Sequence, residues 1–205
     1  MKRIIETLFI LLVAINFSAC TYNIKPSAAD IPLSAIGATN KLNCKALLLV
    51  PQEFANREYV SSFEAREVRL LVGPPATESI DTLLRLHFVQ VEKQSASGDG
   101  TLDFIRFASK QQSPPLIIIR PRFVRLESSV RPFRYNIGFR LGLDFAGFSQ
   151  PVTSQGRGIG TAGLYTEASI QKAADEALSQ AIISLASELP TTCGEVGATG
   201  TLKGE

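Results

Sequence analysis

The sharpest pattern in the chain is an alternation. In "RPFRYNIGFRLGLDFAGF", Phe133, Tyr135, Ile137, Phe139, Leu141, Leu143 and Phe145 fall on one side. Arg134, Asn136, Gly138, Arg140, Gly142, Asp144 and Ala146 fall on the other. Period two predicts a long antiparallel strand with one face on a core and the other in water. Upstream, "PPLIIIRPRFVRLESS" starts as a buried strand and is expected to bend near Pro121, with "SSVRP" as the turn between the two. Downstream, "GRGIGTAGLY" is expected to be a third strand. The period then changes. Ile170, Ala174, Ala177, Leu178, Ala181, Ile182, Leu185 and Leu189 form one helical stripe, which predicts a helix over 166–189 stopped by Pro190. Its small residues let it lie close to a sheet.

The first half is choppier. "CKALLLVP" is a continuous apolar run, as in a strand buried on both faces. Residues 52–64 suggest a turn or a short strand, and "AREVRLLVG" alternates as a further strand. "PPATESIDTLLRLHF" predicts a helix with Pro75 in the first turn and Glu78 and Asp81 early, where the helix dipole favours acids. "FVQVEKQ" is a strand, "SASGDG" an exposed turn, and "TLDFIRFASKQQ" a short helix. Residues 20–43 are polar, small and proline-bearing, the composition of a flexible tether, and 194–205 suggest a disordered tail. The expected fold is α+β: a mixed sheet ending in long antiparallel strands, with two main helices on one face, in a single domain over 44–193.

The N-terminus carries a different signal. A basic start at Lys2 and Arg3, an apolar run from Leu8 to Ile15 and small residues at Ser18 and Ala19 make a secretory leader over 1–19. The run is shorter than the roughly 20 residues of a membrane span. "FSAC" resembles the bacterial lipobox, with Phe17 where that pattern usually has Leu. The resemblance implies cleavage before Cys20 and acylation of its thiol and freed amine, and two or three acyl chains hold a protein stably on a bilayer. Thr21 is not the aspartate that retains such proteins at the inner membrane, so the expected location is the periplasmic face of the outer membrane.

Composition narrows the partners. The 205 residues carry a formal charge of only +2, so no global field points to nucleic acid. With Cys20 used, Cys44 and Cys193 remain. In an exported chain they suggest a disulfide clipping the two ends of the domain together, with two separate thiols as the alternative. His87 is the single histidine, so neither a metal nor a cofactor is expected; it reads as a core-edge residue.

Two stretches suggest chemistry. Gly158, Gly160 and Gly163 spell the dinucleotide fingerprint, but the residues before them are polar and the helix starts only after Tyr165. A glycine-bearing edge strand fits better. Arg120, Arg122, Arg125, Arg131, Arg134 and Arg140 crowd a short stretch in which Glu127 is the single acid. Planar guanidinium groups bind phosphates and carboxylates bidentately. Such a face suits anionic lipid, lipopolysaccharide phosphates or an acidic protein, and the alternative is a plain solvated sheet surface. No nucleophile, base and orienter assemble from sequence position, so the expected protein is not an enzyme. The order of lipobox, polar stretch, buried strand, helix, long antiparallel strands and alanine-rich final helix resembles small Gram-negative envelope lipoproteins of the lipopolysaccharide-assembly and transporter-auxiliary types. That resemblance implies a docking or accessory subunit with an envelope partner, and it carries over no functional residue except Cys20.

Overall fold

The computed structural model describes residues 21–36, 41–63, 66–109, 116–131, 134–147, 152–163 and 165–193. The expected leader, Cys20 and the tail from 194 lie outside them. The elements in chain order are β1 (Thr21–Ile24), β2 (Leu42–Pro51), α1 (Gln52–Ala55), β3 (Glu58–Phe63), β4 (Arg66–Leu71), α2 (Gly73–His87), β5 (Phe88–Ala96), α3 (Thr101–Ala108), β6 (Leu116–Arg131), β7 (Arg134–Ala146), β8 (Val152–Ala162) and α4 (Glu167–Ser187). The main sheet runs β5-β2-β6-β7-β8 and a small one runs β1-β4-β3. β2 is parallel to both β5 and β6, while β6, β7 and β8 form an antiparallel meander. This is the expected α+β architecture.

Connectivity explains the layers. From β2 the chain crosses to β5 on one side, then returns past β2 to β6 on the other. Right-handed crossovers in opposite directions put their helices on opposite faces. Thus α2 and α4 share one face, where Ala46, Leu48, Val50, Ile80, Leu84, Tyr135, Leu141 and Leu178 are buried together. Leu47, Leu49 and Ile118 point the other way and meet Phe104 and Phe107 of α3. A strand covered on both faces must be apolar at successive positions, which is why "ALLLV" does not alternate.

The close packing of α4 on β8 comes from three glycines. A Cβ at Gly156, Gly158 or Gly160 would overlap the carbonyl oxygens of Ala181, Ala177 and Ala173 respectively. Two strand residues advance about 6.6 Å and four helical residues about 6 Å, so a glycine at every second strand position meets an alanine at every fourth helical position. The glycine run is a helix seat on the edge strand of the sheet. Midway along it, the Ile159 N–H donates to Oε1 of Gln180 on α4, at 3.2 Å. Thr166 caps α4 by accepting from the Ser169 N–H.

Several expectations change. The stretch read as a tether is docked for much of its length. β1 pairs with β4, Ile24, Ile31 and Ile36 are buried, and Ser27 N–H and Ala29 N–H donate to Asp175 and Ser79. Its isoleucines are spaced widely enough that composition hides them, yet each reaches the core. Residues 52–63 split into the single-turn α1 and β3. Because α2 starts at Gly73, Glu78 and Asp81 fall beyond its first turn; Asp81 instead pairs with Arg85 and Lys93. The irregularity in β6 lies between Phe123 and Arg125, not at Pro121. Cys44 lies inside β2, and its sulfur is at disulfide distance from that of Cys193, with Cα atoms 6.0 Å apart across a separation of 149 residues. A disulfide typically stabilises a fold by about 2–4 kcal/mol, and more when the loop it closes is long.

Candidate functional site

The face of β6-β7-β8 turned away from α4 carries most of the arginines, and a register shift is what gathers them. Arg120 and Arg122 stand opposite Asp144 and Gly142, then one residue is skipped, and Arg125 and Arg131 stand opposite Arg140 and Arg134. All four partners are even-numbered on β7, so all four β6 arginines share one face although their parity changes. Without the extra residue, Arg125 and Arg131 would point into the core, because a shift of one residue exchanges the faces of a strand. β8 adds Arg157, opposite Arg140. Arg125, Arg140 and Arg157 therefore form one row across three strands.

The two ends of this face differ. Near α3, Arg120 Nη2 and Arg122 Nε donate to the two oxygens of Asp144 at 2.8 and 3.1 Å, and Thr153 Oγ1 donates to the same carboxylate at 3.1 Å. Arg120 also donates to Thr101 and stacks 5.1 Å from the Phe104 ring centroid. Arg120 and Asp144 are 18% and 15% exposed, so this cluster belongs to the packing of α3 on the sheet. Asp99 begins the turn into α3; its carboxyl lies below the usual value because the Thr101 hydroxyl and N–H donate to it.

Towards the β6–β7 hairpin the acids run short. Glu127 pairs with Arg125 at 2.9 Å and lies 3.9 Å from Arg157. Among the described residues, Arg131, Arg134 and Arg140 have no ion-pair partner. Like charges directly opposite one another on a sheet repel, so the row is held in place by the sheet rather than by mutual attraction. Gly138 provides room for the Glu127 side chain and Gly142 for Arg122 and Val124. A groove of about 450 Å³ opens here, and its lining includes Glu127, Arg131, Arg134, Gly138 and Arg157. Of the arginines singled out from sequence, Arg125 and Arg140 stand in the row, Arg134 lines the groove, and Arg120 and Arg122 are tied to Asp144. Arg157 is the residue that sequence reading passed over. Its signal is the alternation "QGRGIG", in which odd positions face water while the glycines face α4.

A smaller concavity of about 160 Å³ sits at the ends of β2 and β5, between Glu53, Phe54, Arg57, Asp99 and Arg122. Its charges are mixed in sign. His87, the last residue of α2, has little exposed surface. Its Nε2 lies 2.8 Å from the Pro190 carbonyl, which can only accept, so Nε2 carries the proton. Desolvation lowers its pKa, opposed by the Pro190 bond. The histidine and the Cys44–Cys193 contact hold the segment after α4 against the sheet and α2. Among the described residues no cluster of His, Cys, Asp and Glu could hold a metal ion, and no helix is long and apolar enough to cross a membrane. A scan against protein-family models finds no match, and no curated protein matches the chain.

Proposed function

We propose that the chain is a lipoprotein acylated at Cys20, anchored on the periplasmic face of the outer membrane, that serves as a non-enzymatic docking or accessory subunit in envelope assembly or transport. The observation that carries the reading is the Arg125–Arg140–Arg157 row, fixed on three paired strands with Glu127 as its neighbouring acid. A rigid row of guanidinium groups on a nearly neutral chain suits a complementary acidic surface on a protein partner. The lipobox resemblance supports the anchor, and cysteines at disulfide distance fit an oxidising compartment such as the periplasm.

The test is purification from membranes in mild detergent, with wild type beside Cys20→Ala and Arg140→Gln/Arg157→Gln. An envelope protein that co-purifies with wild type and is depleted by the arginine changes is expected. A solitary protein, or a partner indifferent to both arginines, would sink the docking reading. Wild-type membrane fractionation by Cys20→Ala would sink the anchor. The groove favours a second reading, an anionic lipid or glycan module. That reading expects salt-sensitive ligand binding that weakens when Arg134 and Arg140 become alanine.

A further inference from the structure

The described chain begins at Thr21 already inside a strand. Thr21 stands opposite Glu67 and Tyr22 opposite Val68. Adjacent Cα atoms are 3.80 Å apart, so a lipid on Cys20 would be joined to the folded body with almost no slack. The identity of the surface beside Thr21 therefore matters. The Arg66 guanidinium lies 5.8 Å over the Tyr22 ring and donates to the Tyr165 carbonyl at 3.1 Å. The Tyr165 hydroxyl donates in turn to the Arg131 carbonyl at 2.7 Å. Tyr22, Arg66, Tyr165 and the ends of β6 and β7 are thus one connected corner. Arg131 and Arg134, both exposed and without ion-pair partners among the described residues, stand on it. Among the described acids near it, Glu67 and Glu127 are engaged by Arg69 and by Arg125 and Arg157, while Glu167 is exposed in the first turn of α4.

From this placement we infer that the Thr21 corner is the membrane-facing end, with Arg131 and Arg134 seated on anionic phospholipid headgroups of the bilayer that holds the lipid on Cys20. The inference rests on the proposed acylation and goes beyond it by assigning an orientation. An acyl anchor and a basic patch act together on a membrane, the first giving residence and the second charge selectivity. The Arg125–Arg140–Arg157 row then stands further from the bilayer, leaving it for a protein partner.

The experiment uses full-length purified protein in vesicles of phosphatidylcholine alone, or of equal parts phosphatidylcholine and phosphatidylglycerol, each doped with a nitroxide-headgroup lipid. A fluorophore is attached at Gly163→Cys, where a side chain meets nothing within 4 Å, or at Gln155→Cys, about 25 Å away along β8. Thr161→Cys serves as a second probe at the Gly163 end. The expected result in phosphatidylglycerol vesicles is quenching at least about twofold greater at Gly163 and Thr161 than at Gln155, with the excess lost in Arg131→Gln/Arg134→Gln. Equal quenching at both ends, or an excess indifferent to the two arginines, overturns the orientation. The anchor is checked separately. Protein that fails to float with phosphatidylcholine vesicles overturns acylation at Cys20, and the basic corner must then hold the protein on phosphatidylglycerol vesicles by itself or fail with it.

Discussion

The two ends of one sheet face both carry arginines and put them to different uses. At the α3 end, Arg120 and Arg122 close on Asp144, with Thr153 completing the cluster. At the hairpin end, Glu127 is shared by Arg125 and Arg157 while Arg131, Arg134 and Arg140 have no acid partner among the described residues. Counting arginines therefore does not locate a binding surface. What separates a packing cluster from a candidate surface is whether each guanidinium is answered from within the chain.

The comparison can be broken most severely from behind. Gly158→Val would drive a side chain into the Ala177 carbonyl, lift β8 from α4 and dislodge Arg157 from its row. The expected loss is about 3 kcal/mol, at the upper end for overpacking, read as a lowered denaturation midpoint. Asp144→Ala tests the closed end directly. It leaves Arg120 and Arg122 partly buried without a carboxylate, and an expected loss of about 2 kcal/mol follows once partial exposure is discounted. Unchanged stability would mean the cluster is as open as the hairpin end.

A pH titration touches neither end and calibrates both. Burial lowers the His87 pKa below the ordinary histidine value of 6.5. Below that pH the unfolded chain takes up a proton that the folded chain resists. Stability from this group is therefore present above about pH 6.5 and is lost as pH falls, by at most about 1.4 kcal/mol per pH unit. Denaturant melts between pH 7.5 and 5 should show the slope, and His87→Gln should flatten it. The lowered Asp99 carboxyl acts in the same direction, but only below its ordinary value of 3.8, so the two windows separate. The smallest effect is expected at the open end: Arg140→Gln should shift stability by no more than about 0.5 kcal/mol. A loss as large as that from Asp144→Ala would show that Arg140 is answered after all.

The parts legible in the sequence were those whose burial repeats locally. The stripe from Ile170 to Leu189 and the alternation from Tyr135 to Phe145 each report their own environment, and those residues are buried. The pairing of β1 with β4 was not legible, since "TYNI" shows no period of its own and acquires strand geometry from a neighbour more than 40 residues away. The candidate face was half legible. Its arginines were visible, but their shared orientation depends on the register shift after Phe123, whose trace in sequence is a change of parity from Arg122 to Arg125. Arg157 was hidden inside a glycine pattern that invited a different comparison.

The seat of α4 on β8 bears on how this protein tolerates crowding. A bare strand at the border of a sheet is a template on which other chains can pair and precipitate. Here the helix rides so low over Gly156, Gly158 and Gly160 that Gln180 reaches the Ile159 amide midway along that border. An intruding strand would have to displace that bond and pass the helix beside it. Copies at high local concentration would thus be kept from zipping together through β8.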